Sequence, residues 1–170
     1  MNDQTFLRMG RLALLLFTQI FFLNHIHIAG YITPLFIGYM LMCFPHGTSR
    51  IALLLWGFVT GVLFDTFSNT AGMGSAACTL LAMMQPSALK LLIPRDASEG
   101  FNPGLKSMGP GKYLVYALLC MLVLHTMFYL LDAFTMNNWL LTLASIGGST
   151  LMATLLCLCA ELFARRPKGA

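Results

Sequence analysis

Residues 50–72 read RIALLLWGFVTGVLFDTFSNTAG. A basic residue, fourteen uncharged and mostly apolar positions before Asp65, and then a polar turn make one hydrocarbon-spanning helix entered from a positively charged side. Within it Gly57, Gly61 and Asp65 recur every fourth residue and so share one narrow face. In lipid there is no hydrophobic force between helices, and such small-residue stripes let backbones approach and gain dispersion contacts. The sixth apolar stretch repeats the device with Ser145, Ser149 and Ala153. Packing inside the bundle and packing against a partner are both open for these stripes.

Outward from this segment the whole chain is apolar. Of its 170 residues 58% are hydrophobic and 9% charged, too little polar surface to coat a soluble domain. Apolar stretches at about 12–28, 32–45, 51–67, 73–93, 113–134 and 139–163 predict an all-α integral membrane protein with six crossings in a single domain, 1–170. Merging the first two into one helix would put Arg11 and Arg50 on opposite sides. Two crossings, or a hairpin that dips in and returns, keep both on one side. With that choice the basic residues form one set: Arg8, Arg11, Arg50, Lys90, Arg95, Lys106, Lys112, Arg165, Arg166 and Lys168 all face the cytoplasm with both termini, as the positive-inside rule requires. Tyr113 and Tyr116 are expected at the inner headgroup level, and Tyr31, Tyr129 and Trp139 at the outer one. The sizeable extramembrane segment is the cytoplasmic loop 94–112, a linker or docking loop. The first segment begins like a secretory signal but shows no small-x-small cleavage pattern, so it is expected to stay in the mature protein.

Ionisable residues at membrane depth are costly and need a reason. Asp65 and Asp132 reach the outer interface, where capping a helix end competes with an interhelical contact or a functional site. His125 lies one heptad before Asp132 on the same face, suited to a structural hydrogen bond or, alternatively, to a proton-sensitive pair. Glu161 is placed to snorkel at the inner end. Gln85-Pro86 is expected to kink the fourth helix and to need polar compensation. His25-x-His27 does not share a helix face and has no adjacent third ligand, so no metal site is expected. Gly72-x-Gly74-Ser75 lacks the further glycines or lysine of a phosphate loop or nucleophile elbow. Cys43, Cys78, Cys120, Cys157 and Cys159 all lie in apolar stretches, as inert small hydrophobes. No cofactor, no nucleic-acid partner and no enzymatic activity are expected.

The ordered polar and glycine positions Gly57, Gly61, Asp65, Ser68, Asn69 and Gly72, with the Gln85-Pro86 kink, the Leu92-Ile-Pro94-Arg95-Asp96 exit and the Asn24-His25-Ile-His27 turn, resemble the rod shape-determining protein MreD family. That resemblance implies a six-helix fold similar to the substrate-binding S subunits of energy-coupling-factor transporters. It also implies a non-catalytic subunit of the bacterial inner membrane that helps organise lateral peptidoglycan synthesis and cell shape. Its direct partner would be MreC, with MreB, RodZ, RodA and a class B penicillin-binding protein in the wider complex. Candidate contact surfaces are the Gly57/Gly61/Asp65 face with the Ser68–Gly72 turn, and the 94–112 loop. His125, Asp132 and Gln85 are candidate intramembrane polar contacts. The competing reading is a small-solute-binding subunit of an uptake transporter, anchoring its ligand through Asp65, His125 or Asp132.

Overall fold

The computed structural model describes residues 10, 13–19, 33–70, 72–93, 100–133 and 139–163, and these are helical or irregular, with no strand among them. Outside them fall Arg8, Arg11, Asn24, His25, His27, Tyr31, Arg95, Asp96, Arg165, Arg166 and Lys168. A helical stretch at 13–19 (α1) is followed by α2 (Gly38–Met42), α3 (Arg50–Ser68), α4 (Met73–Leu92), α5 (Leu105–Met108), α6 (Pro110–Asp132) and α7 (Trp139–Phe163).

Three of these, α3, α6 and α7, are long and apolar enough to cross a membrane. At 1.5 Å per residue they are roughly 28, 34 and 37 Å long, against a hydrocarbon core of about 30 Å. The 20-residue α4 has the length but carries Ser75, Thr79, Gln85, Ser87 and Lys90. It packs between α3 and α6 and also touches α2, so less of it needs to face lipid.

The order of packing is α3 on α4, α4 on α6 and α6 on α7. Burial along α6 shows how one helix serves both core and lipid: Tyr113, Tyr116, Ala117, Cys120, Met121, Leu124, His125, Phe128 and Tyr129 are buried, at steps of three and four. The opposite face shows Leu114, Val115, Leu118, Leu119 and Leu122. Both faces are apolar, as in a helix between a protein core and hydrocarbon.

Hydropathy alone predicts a crossing at 32–45. Over its described part, 33–45, the structure has one five-residue helix, α2, roughly 7 Å long and flanked by irregular backbone. Pro34 and Pro45 bracket it, each lacking the N–H that a continuous helix would use. The segment is nevertheless deep in the core, with Leu35, Ile37, Leu41 and Met42 among its least exposed side chains. Hydropathy reports burial, and here the burial is in protein.

The cationic ends of the helices come together. α3 and α4 are antiparallel across the short turn at 69–72, which sets Arg50 and Lys90 at the same end. His46 N–H donates to Phe101 O (2.8 Å) and Gly100 N–H to His46 O (2.9 Å), tying the entrance to α3 to the loop that leads through Lys106 into α6 and Lys112. Asp65 and Asp132 lie at the opposite ends of their helices.

Candidate functional site

Two constructions hold Asp65, His125 and Gln85, three of the polar residues that the sequence singles out. The first is the α3–α4 hairpin. Gly57 and Gly61 are buried on the face toward α4. A Cβ on Gly57 would lie 2.7 Å from Ala82 Cβ and 2.9 Å from Cys78 O, and one on Gly61 would collide with the Ser75 backbone. Across the seam Gly74 has the same constraint, since a Cβ there would meet Phe64 Cδ1 at 2.5 Å and Asp65 Oδ1 at 2.7 Å. The two helices therefore touch backbone to backbone, and only glycine fits.

Asp65 locks this hairpin. Its Oδ1 accepts from Gly74 N–H (2.7 Å) and Thr70 Oγ1 (2.7 Å), and its Oδ2 accepts from Ser75 N–H (2.8 Å). Gly74 and Ser75 are in the first turn of α4, whose own N-cap Gly72 has no side chain to offer. A carboxylate from the preceding helix thus caps α4, satisfying two of its orphan N–H groups and facing the positive end of its dipole. The turn between is shaped by Asn69 in the left-handed region (φ 54°), which closes α3 with its N–H on Asp65 O, and by Gly72 (φ 81°). Asn69 and Gly72 are exposed and Ser68 half-buried. Of the two roles open to the Gly57/Gly61/Asp65 stripe, the helix-packing one is occupied by this chain's own α4.

The second construction surrounds the irregular backbone at 33–44. Non-helical backbone at membrane depth is tolerated only where protein groups satisfy it. Gln19 makes two bonds, accepting from Phe36 N–H at Oε1 (2.8 Å) and donating from Nε2 to Pro34 O (3.1 Å). His125 Nε2 accepts from Leu35 N–H (3.0 Å), while its Nδ1 lies 2.8 Å from Met121 O. An acceptor at Nε2 and a carbonyl at Nδ1 fit one species, the neutral ring protonated at Nδ1. With both nitrogens so engaged, His125 has none left for Asp132, which sits half-buried at the end of α6. The proton-sensitive His125–Asp132 pair is not formed.

Tyr129 OH accepts from Thr33 N–H (3.0 Å) and is 2.9 Å from Ser149 Oγ, so the Ser145/Ser149/Ala153 stripe of α7 also faces inward. At the other end of the segment, Tyr116 OH donates to Met42 O (3.0 Å), and Gln85 Nε2 donates to Tyr116 OH (3.0 Å) and Phe44 O (3.3 Å). Pro86 sits inside α4 without ending it, and the side chain of Gln85 reaches across to the irregular segment. Tyr39 OH donates to Glu161 Oε2 (2.9 Å), and Glu161 is buried; it points into the bundle where snorkelling was expected.

Tyr113, Tyr116 and Tyr129 are likewise buried against the bundle, their side chains turned away from where a lipid-facing aromatic belt would lie, whereas Trp139 is exposed. Sequence reading singles out His125 and Gln85 but misses Gln19 as their counterpart and the hydrogen bonds of Tyr116 and Tyr129. The available signal was the pair Pro34 and Pro45 around an apolar stretch, which marks backbone in need of outside partners. Cys78, Cys120 and Cys157 are buried, Cys43 is half-buried and Cys159 exposed, and none of the five is in a disulfide. Among the described residues no three His, Cys, Asp or Glu side chains are grouped as metal ligands.

No protein-family model, curated protein or solved structure matches the chain.

Proposed function

We propose that this chain is a non-catalytic scaffold subunit of the bacterial inner membrane, similar to MreD, which binds MreC and helps organise lateral peptidoglycan synthesis and cell shape. Both termini and the 94–112 loop face the cytoplasm in this reading. The observation that carries it is the α3–α4 hairpin. The residues of the resemblance, Gly57, Gly61, Asp65, Asn69 and Gly72, are those that bring two backbones into contact and cap one helix from the other. A part whose polar groups are spent on its own rigidity suits a scaffold.

The alternative, a small-solute-binding uptake subunit, relies on Asp65, His125 or Asp132 as ligand anchors. Asp65 is bonded to three partners and His125 to two, all within the chain, which favours the scaffold. Because α4 covers the Gly57/Gly61 face, contact with MreC is assigned to the end of the hairpin that carries the exposed Asn69 and Gly72, and to the cytoplasmic loop.

The test is affinity purification of the tagged chain from the membranes of its own bacterium, combined with its depletion. The scaffold reading expects MreC to be recovered and rod-shaped cells to become round. Normal shape with lost uptake of a small solute would overturn it in favour of the transporter reading.

A further inference from the structure

The four described basic residues, Arg50, Lys90, Lys106 and Lys112, are all exposed and all gather at one end of the bundle. The described acidic residues do not neutralise them from the surface. Asp65 and Asp132 are at the far ends of their helices, and Glu161 is buried with Tyr39 as its hydrogen-bond donor. Among the described residues, the exposed charge at this end of the bundle is therefore positive, and the one carboxylate there, Glu161, is buried.

What lies beside three of the four cations identifies the partner. Arg50 is followed by Ile51, 75% exposed, and Lys90 by Leu91, 79% exposed; two residues beyond Lys112, Leu114 is 43% exposed. A soluble polyanion would find its binding cations interleaved with greasy surface that it cannot cover. A phospholipid with an anionic headgroup matches both parts, placing phosphate among the cations and acyl chains along the apolar wall.

We propose that this end of the bundle selectively holds phospholipids with a net negative headgroup. The cations extend from the start of α3, across the end of α4, to α5 and the start of α6, so the lipid would line the outer rim of α3, α4 and α6 at the headgroup level. It would do so whichever protein partner the chain takes. Each lysine or arginine near an anionic surface contributes attraction equivalent to about a fivefold change in binding.

The experiment uses the full-length protein in neutral-detergent micelles doped with either phosphatidylglycerol or phosphatidylcholine of the same chains, with retained lipid counted by native mass spectrometry. The wild-type protein is expected to retain phosphatidylglycerol at least about tenfold better, with the preference shrinking as salt screens the cations. The variant Lys90→Gln, Lys106→Gln, Lys112→Gln is expected to lose most of the preference, and the corresponding arginine variant to keep it. Equal retention of the two lipids by the wild type, or an undiminished preference in a folded glutamine variant, overturns the proposal. Should the glutamine variant fail to fold, the wild type decides alone: a salt-sensitive preference supports the site and a salt-insensitive one overturns it.

Discussion

The α3–α4 hairpin and the segment at 33–49 are neighbours in sequence and opposites in construction. The hairpin is built from contacts its own sequence supplies. Gly57 and Gly61 meet Ala82, Cys78 and Ser75, and Asp65 caps a helix that starts a few residues later. The 33–49 segment is held from far away, with Leu35 bonded to a histidine 90 residues on and Thr33 to a tyrosine 96 residues on. Both are buried in one bundle, yet the first is local and apolar with one carboxylate latch, and the second non-local and polar. Membrane proteins have both routes to order: close packing of small residues, and hydrogen bonds to backbone that no helix satisfies.

The largest expected effect breaks the local side of this contrast. Gly61→Leu places a side chain where the Ser75 backbone lies, a collision that no rotamer relieves. Overpacking costs about 1–3 kcal/mol and occasionally more, and a backbone contact belongs to the severe end. The expected outcome is a fall in the detergent-solubilised melting temperature and loss of the hairpin, read by the efficiency of a disulfide engineered across α3 and α4. Normal melting and normal cross-linking would mean the helices do not approach as described.

A smaller effect tests the non-local side. Tyr116→Phe removes the donor to Met42 O and the acceptor for Gln85 but keeps the ring. Gln85 retains Phe44 O as a partner, so the cost should be that of about one buried hydrogen bond, roughly 1 kcal/mol, read as a modest fall in melting temperature. A loss as large as that of Gly61→Leu would erase the distinction between the two regions.

The same contrast explains what was legible in the sequence. The stretches expected at 51–67, 73–93, 113–134 and 139–163 correspond to α3 (Arg50–Ser68), α4 (Met73–Leu92), α6 (Pro110–Asp132) and α7 (Trp139–Phe163). Long apolar runs bounded by polar turns report helix ends directly. The glycine stripe was legible as a packing face because spacing of four is a property of one helix. Its partner, and which helix Asp65 caps, became visible only with α4 in place.

The stretch at 32–45 was not legible as irregular backbone. A helix facing lipid and a broken segment enclosed by helices are equally apolar. What separates them is the set of side chains that receive the freed N–H and C=O groups, scattered over α1, α4 and α6. His125 reads in sequence as an ambiguous intramembrane histidine, and only Leu35 N–H on one nitrogen and Met121 O on the other define its task.

The central claim, that remote side chains secure a broken segment deep in the bundle, is tested most directly by amide hydrogen exchange of Leu35 in the wild type and in His125→Ala. Leu35 has no helical hydrogen bond, so strong protection in the wild type and its loss by about tenfold or more in the variant, with Gly57 in α3 unchanged, is the predicted result. Equal protection of Leu35 in both proteins would contradict it, placing the order of the segment in lipid burial alone.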